Sequence, residues 1–276
     1  MAKGRILFVN QEIMPFVPEN ERSVFGRYLP ARCQELGRDI RVFMPRYSFV
    51  SERKNQLHEV IRLSGMNLII NNCDHQLIIK VGSIPAARMQ VYFIDNEEYF
   101  SKSGAPLDEH GVLQADADER MLFFGRGTLE AVRKLAWQPH LVHFSGWFSS
   151  MVPFYMRRIN KEDAFFKDTK TVFTISDDAF EGHFVDEMLK KMKTDGATAK
   201  DVRLFESLDY MGLCKAAITY ASGVVVGSPS ANPELVAFAK ECKNAKFVLD
   251  YNDNQSEFFG QINRLYDVLI GSSINN

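Results

Sequence analysis

Short apolar runs of four to six residues recur along the chain, separated by longer stretches in which apolar residues return every three or four positions. The runs predict strands at residues 5–9, 39–44, 67–71, 76–81, 89–94, 141–144, 171–175, 223–227 and 246–249. Several, such as Ile6-Leu7-Phe8-Val9, are apolar throughout, as expected for strands of a parallel sheet covered on both faces. The clearest helical pattern spans residues 116–136 and places Met121, Phe124, Thr128, Leu129, Val132 and Leu135 on one side. Strand, helix, strand in alternation predicts an α/β fold, a doubly wound sheet with right-handed crossovers. Residues 67–94 break the alternation, with short strands and no helix between them, and read as a β-rich insertion. A polar stretch at 252–257 separates the last strand from a closing helix near 258–270, and residues 271–276 read as a loose tail.

In a sheet of this kind ligands collect beyond the carboxyl ends of the strands. Function is therefore expected in the loops that follow Val9, Met44, Phe144, Ile175 and Gly227.

Composition narrows the class. The 276 residues carry 33 Lys+Arg against 35 Asp+Glu, a formal charge of −2, which gives no surplus of cations for a nucleic-acid partner. With 46% hydrophobic residues the chain is not short of core material, so disorder is excluded as the main state. No apolar segment reaches the roughly 18 residues of a membrane span. The first apolar run stops at Asn10-Gln11-Glu12, short of the roughly 7–15 residues of a secretory h-region. Cys33, Cys73, Cys214 and Cys242 lie far apart with no Cys-x-x-Cys pair, so neither a zinc site nor a disulfide framework is expected. The expectation is a cytoplasmic protein with reduced thiols and no metal or cofactor.

Some motifs have plain structural readings. Gly125-x-Gly127 falls inside a helical pattern and reads as close packing, not a dinucleotide loop. His140 and His143 have metal-like spacing, but three residues apart on a strand they face opposite sides. Lys190, Lys191 and Lys193 read as a solvated face near a helix end. Ser145-Gly146 lacks the Gly-x-Ser-x-Gly frame of a hydrolase nucleophile.

Two loops carry more chemistry. Ser145-Gly146-Trp147-Phe148-Ser149 follows a strand and opens a helix; its rings either meet the apolar face of a sugar or pack the first helical turn onto the sheet. Ser176-Asp177-Asp178, with Glu181-Gly182-His183 beyond, sits at another strand end. Its carboxylates suit sugar hydroxyls or a cation, and equally suit capping of the next helix.

The residues resemble the glycogen and starch synthase family. The likeness begins with Lys3, Glu12, Pro15-Phe16, Leu29-Pro30, Leu36-Gly37 and Pro45-Arg46-Tyr47. It continues through Val91-Tyr92-Phe93-Ile94-Asp95-Asn96-Glu97-Glu98-Tyr99-Phe100, Asp118-Glu119-Arg120, Trp137-x-Pro139 and Leu141-Val142-His143. Trp147, Val152-Pro153, Thr171-Val172-Phe173-Thr174-Ile175, Tyr220-Ala221 and Ser228-Pro229 extend it in colinear order over residues 3–235. The resemblance implies the acceptor-side, N-terminal Rossmann-like half of a GT-B glycosyltransferase, an architecture that transfers glucose from ADP-glucose or UDP-glucose to an α-1,4-glucan. It divides the chain into a Rossmann-like domain at 1–250 and a closing helix and tail at 251–276. The family's second domain, which supplies most nucleotide contacts, has no counterpart of sufficient length in these residues.

The departures from the family pattern are selective. Where the family carries Lys-x-Gly-Gly, suited to a diphosphate, the chain reads Pro18-Glu19-Asn20-Glu21. Proline offers no N–H, and two carboxylates have appeared, with Arg22 as a partial offset. A like-charge contact near 4 Å costs on the order of 4 kcal/mol at an effective dielectric of about 20. The family's His-Asp-Trp-His becomes Ser145-Gly146-Trp147-Phe148, and its Thr-Ile-His-Asn becomes Thr174-Ile175-Ser176-Asp177.

The expected candidate crevice therefore comprises Glu19, Asn20, Arg22, Ser145, Trp147, Phe148, Ser176, Asp177 and Asp178, with no catalytic residue among them. The first expectation is a catalytically silent relative that binds an α-glucan or another protein, with a partner or a homodimer contact covering its open face. The alternative is a glucosyltransferase of glycogen synthesis that acts only with a second domain from another chain. A weaker reading is a nucleotide or metabolite sensor built on residues 176–183. A nucleotide sugar is a weaker candidate ligand; nucleic acid and membrane are not expected partners.

Overall fold

The computed structural model describes residues 4–101 and 104–274. Ten strands are present among them: β1 Arg5–Asn10, β2 Asp39–Pro45, β3 His58–Glu59, β4 Met66–Ile70, β5 Cys73–Ile84, β6 Met89–Asp95, β7 Leu141–Ser145, β8 Lys170–Ile175, β9 Gly223–Val226 and β10 Phe247–Leu249. The α-helices are α1 Glu21–Glu35, α2 Glu52–Asn55, α3 Ala117–Lys134, α4 Met151–Phe154, α5 Glu187–Thr194, α6 Ala199–Val202, α7 Tyr210–Tyr220, α8 Pro233–Glu241 and α9 Gln255–Ile274.

The strand order is β10-β9-β8-β7-β1-β2-β6-β5-β3. From β10 to β6 every pairing is parallel, and β5 turns antiparallel to β6. This is the Rossmann-like, mostly parallel sheet expected. The central strands β1, β7 and β8 are buried almost end to end, as their largely apolar runs require. From β1 the chain moves to β2 on one side, and after β6 it crosses to β7 on the other. The switch point therefore lies between β1 and β7, where Asn10 pairs with Ser145 at the carboxyl ends.

The insertion is smaller than the sequence suggests. Residues 89–95 form β6, whose Phe43↔Tyr92 register with β2 makes it a member of the parallel sheet. The β-rich part is the β4–β5 hairpin, whose two-residue turn holds Asn71 and Asn72 at φ 52° and 61°, a turn asparagine tolerates. The short edge strand β3 has no clear apolar run to announce it, since both of its residues are exposed.

Two helices set the site. In α1, Pro30 has no N–H to give the carbonyl of Gly26, and the side-chain amide of Asn10 donates to that oxygen at 3.4 Å. Gly26 also lets the helix approach the loop after β1, because a Cβ there would lie 2.4 Å from the Glu12 carbonyl oxygen. Helix α3 buries Met121, Phe124, Thr128, Leu129 and Val132 as its spacing predicts, and the Gly125-x-Gly127 pair packs against Met151 on one side and Leu77 and Ile94 on the other.

The closing helix starts earlier and runs further than the sequence pattern suggests. α9 continues through Gly271 to Ile274, in place of the expected loose tail; residues 275–276, like Lys3, lie outside the described residues. Phe258, Phe259, Ile262, Leu265, Tyr266 and Leu269 are buried on the same core as the sheet. Arg38 ties the helix down through Asn263 Oδ1 at 2.9 Å and Asp267 at 2.7 Å. His143 sits in this core with Tyr266 Oη at Nδ1 and Thr174 Oγ1 at Nε2, and burial lowers its pKa to about 3. His140 precedes β7 and accepts from the Arg5 N–H at 2.9 Å, so the two histidines share no site. Lys191 is not solvated: it is buried on α5 against Asp118 at 2.7 Å and Glu119 at 2.8 Å, while Lys190 and Lys193 are exposed. No described helix is long and apolar enough to cross a membrane.

Candidate functional site

The loops after β1, β7 and β8 meet over the switch point. Gln11 extends β1 by donating its N–H to Ser145 O at 3.1 Å, and its side-chain Oε1 accepts the Phe148 N–H at 3.1 Å. Tyr47, just after β2, donates its hydroxyl to Gln11 O at 3.1 Å. The β7 loop turns sharply at Gly146, with φ +84°, and its Cα lies so near Gln11 that a Cβ would come within 2.7 Å of that side chain. Trp147–Ser149 then form one 3-10 turn leading into α4.

Asn20 is the N-cap of α1. Its Oδ1 accepts the Ser23 N–H at 2.8 Å, and its own N–H donates to Ser23 Oγ at 2.9 Å, a reciprocal capping box. The Asn20 amide also donates to Glu12 Oε2 at 2.6 Å. Arg22, one residue into the helix, donates to Glu12 Oε1 at 3.1 Å and to the Asp177 carbonyl oxygen at 2.6 Å. Burial alone would lower the Arg22 pKa, but Glu12, Asp178 and Asp177 together outweigh it and the guanidinium is held above its ordinary value. Glu19 is exposed beside Pro18.

Asp177 and Asp178 do not cap the helix that follows them. Residues 176–186 carry no helix, and α5 begins beyond them. Asp178 instead turns back into the crevice, where Oδ2 accepts the Trp147 N–H at 2.9 Å and Oδ1 accepts the Tyr210 hydroxyl at 2.9 Å. It thus caps the turn after the neighbouring strand. Burial pushes its pKa up, against the pull of the Trp147 N–H, Arg22 and Tyr210. Ser176 is buried, and its carbonyl oxygen lies 3.3 Å from Tyr210 Oη.

The rings settle toward packing. Phe148 is fully buried and stacks on Phe124 with centroids 5.6 Å apart. Trp147 packs on Phe180 and Phe184 with little surface left to solvent. Ser145 is buried too, its carbonyl accepting the Ser149 hydroxyl. Of the nine expected crevice residues, Asn20, Arg22, Trp147, Asp177 and Asp178 line one common cavity of about 340 Å³, whereas Glu19, Ser145, Phe148 and Ser176 do not.

Sequence reading missed other walls of that cavity: Gln11, Glu12, Tyr47, Phe49 and Asp108. Glu12 and Tyr47 lie in the loops after β1 and β2 where function is expected and belong to the family-like motifs, but nothing local in the sequence marks their side chains as crevice walls. Phe49 is about half exposed and stacks on Tyr47 at 5.4 Å, so an aromatic face does border the opening. Among the described lining residues the charged groups are Glu12, Asp108, Asp177, Asp178 and Arg22: four acids and one base that is already engaged. The arrangement offers acceptors for hydroxyl donors and little for an anion. No group of three or more potential metal ligands occurs among the described residues.

Comparison with known proteins agrees with this architecture. Residues 5–249 match the family model of the starch synthase catalytic domain. A glycogen synthase from Chlorobium phaeovibrioides is 30% identical over 237 residues, covering 85% of this chain and 48% of the relative. One from Pelodictyon phaeoclathratiforme is 28% identical over 260 residues, covering 94% and 52%. The chain thus spans about half the length of these curated relatives. Among solved structures, the catalytic domain of starch synthase IV from Arabidopsis thaliana, bound to ADP and acarbose, superposes with a TM-score of 0.67 at 13% identity, over 90% of this chain and 51% of that one. With the matched segment covering most of its residues, the chain belongs to the glycogen and starch synthase family.

Proposed function

We propose that this chain is a catalytically silent member of its family, a module whose crevice binds the hydroxyls of an α-glucan and not a sugar diphosphate. The observation that carries the reading is the charge of the cavity: four carboxylates line it, and its one guanidinium is held between Glu12 and the Asp177 carbonyl. A diphosphate placed there would meet like charges at a cost of about 4 kcal/mol for each contact near 4 Å at an effective dielectric of about 20. Neutral hydroxyls donate to the same carboxylates without that cost, and Phe49 offers a ring at the rim. The capping box on Asn20 supports the reading, since it occupies the first turn of α1 with the chain's own side chains. Phe148, buried at the place where the family carries a polar histidine, brings no group to a transferring sugar.

Isothermal titration of the purified protein with maltooligosaccharides and with ADP-glucose tests this. Oligosaccharide binding is the expected result, with any ADP-glucose binding unaffected by Arg22→Ala and so outside the crevice. Tight ADP-glucose binding that Arg22→Ala weakens, or elongation of glycogen by this protein alone, overturns it.

A second reading is a glucosyltransferase of glycogen synthesis whose cleft is completed by a nucleotide-binding domain from another chain. It is favoured by the family-like Asp95-Asn96-Glu97-Glu98 stretch, in which the buried Asp95 is bound to Lys80 at 2.7 Å. Under it, a co-purifying partner restores transfer; a partner-free preparation that stays inactive with every candidate domain removes it.

A further inference from the structure

The opposite end of the sheet carries the reverse charge. A groove of about 440 Å³ runs along the amino ends of β8, β9 and β10, lined by Arg157, Arg158, Lys170, Lys246, Tyr220 and Phe247 among others. Four cations line it and, among the described residues, no carboxylate does. In a chain of formal charge −2 this is a marked local excess.

Three of the four cations, Arg157, Lys170 and Lys246, have no ion-pair partner among the described residues. Arg158 pairs with Asp201, a carboxylate that also accepts the Thr198 N–H at 2.9 Å. Arg157 has no carboxylate within ion-pair distance among the described residues and donates only to the carbonyl oxygens of Thr169 and Lys167. Burial holds its pKa below the ordinary guanidinium value, and Asp168 is the one acid that counters this through space. Lys170 opens β8 and Lys246 immediately precedes β10, neither with an acid partner among the described residues. A half-buried guanidinium bonded only to neutral oxygens is an unsatisfied charge, and the favourable neighbour for it is an anion. Beside these cations Phe247 leaves 40% of its surface exposed, an apolar ring at the groove's edge.

We propose that this groove is a binding site for a small phosphate ester carrying a ring, with the phosphate on Arg157, Lys170 and Lys246 and the ring against Phe247. The site is distinct from the crevice. Both ends belong to the same parallel strands, so a six-residue strand separates them by on the order of 20 Å. Occupancy there would act on the crevice only through the sheet, which makes it a place for a metabolite signal and not for substrate. The proposal does not depend on whether the crevice binds glucan.

Calorimetric titration of the full chain with adenosine monophosphate, a hexose 6-phosphate and inorganic phosphate tests it. Saturable binding of one ester, tighter than inorganic phosphate, is expected, and the tighter of the two esters identifies the ring. Lys170→Glu and Lys246→Glu, both on the surface of the groove, should each raise the dissociation constant by about tenfold or more. Phe247→Ser should weaken the ester and leave inorganic phosphate unchanged, while Asp177→Asn in the crevice should alter neither. Absence of saturable ester binding, wild-type affinity in both lysine variants, or loss of binding through Asp177→Asn overturns the assignment.

Discussion

The backbone N–H of Trp147 donates to the carboxylate of Asp178 at 2.9 Å, so the loop after β8 caps the first turn after β7. Two loops far apart in sequence are thereby fixed as one wall of the crevice, and the acid does so while buried, with Tyr210 on its second oxygen.

Replacement of Asp178 by Ala removes both acceptors and leaves the Trp147 N–H buried and unpaired. A loss of about 1–3 kcal/mol in unfolding free energy is expected by urea denaturation. The pH dependence has a defined sign. Because the folded pKa is raised, Asp178 contributes most below the ordinary carboxyl pKa, and the contribution falls as pH rises through the folded value. Asp178→Asn should flatten that part of the stability profile; an unchanged profile would show that Asp178 is not the titrating group.

Gly146→Ala meets two obstacles at once, a left-handed φ of +84° and contacts of 2.7 Å with the Gln11 side chain. The expected cost is roughly 2–4 kcal/mol, combining backbone strain and overpacking. Thermal unfolding followed by circular dichroism checks it, and a wild-type melting temperature would mean that the β7 loop and Gln11 are not so closely fitted.

His143 is kept neutral by burial, with its pKa lowered to about 3. A base whose folded pKa is depressed supports the fold above its unfolded pKa and withdraws that support as pH falls toward the folded value. Stability should therefore drop by up to about 1.4 kcal/mol per pH unit below roughly pH 6.5. His143→Gln should lose this acid sensitivity. Urea titrations from about pH 7 down to about pH 4 report the difference.

Rebuilding the family's first turn with Pro18→Lys, Asn20→Gly and Glu21→Gly should confer binding of ADP, improved by about tenfold or more over the unaltered chain. Glycine at an N-cap costs only a few tenths of a kcal/mol, so the variant should fold. If titration finds no gain, the first turn is not what excludes the diphosphate.

Much of the fold was legible because burial on both faces leaves an unbroken apolar run. All nine expected strands occur, with ends shifted by a few residues at most, and the amphipathic stripe of α3 fell where the spacing of Met121, Phe124 and Thr128 put it. The family, too, could be read from motifs whose residues pack the scaffold. Less legible were features without a local signal, such as the exposed pair His58–Glu59 forming β3 and the last turn of α9.

What the chain's own order of residues determined was periodicity, charge balance and the acidic, glycine-free turn Pro18-Glu19-Asn20-Glu21, since each is a property of neighbours along the chain. Which polar groups face one another was decided only by the tertiary structure. Asp178 could have capped the helix that follows it, and Lys191 could have stood in solvent; instead one reaches Trp147 and the other lies between Asp118 and Glu119. A buried charge or N–H must find its partner wherever the sheet order brings one, and that order joins residues dozens of positions apart.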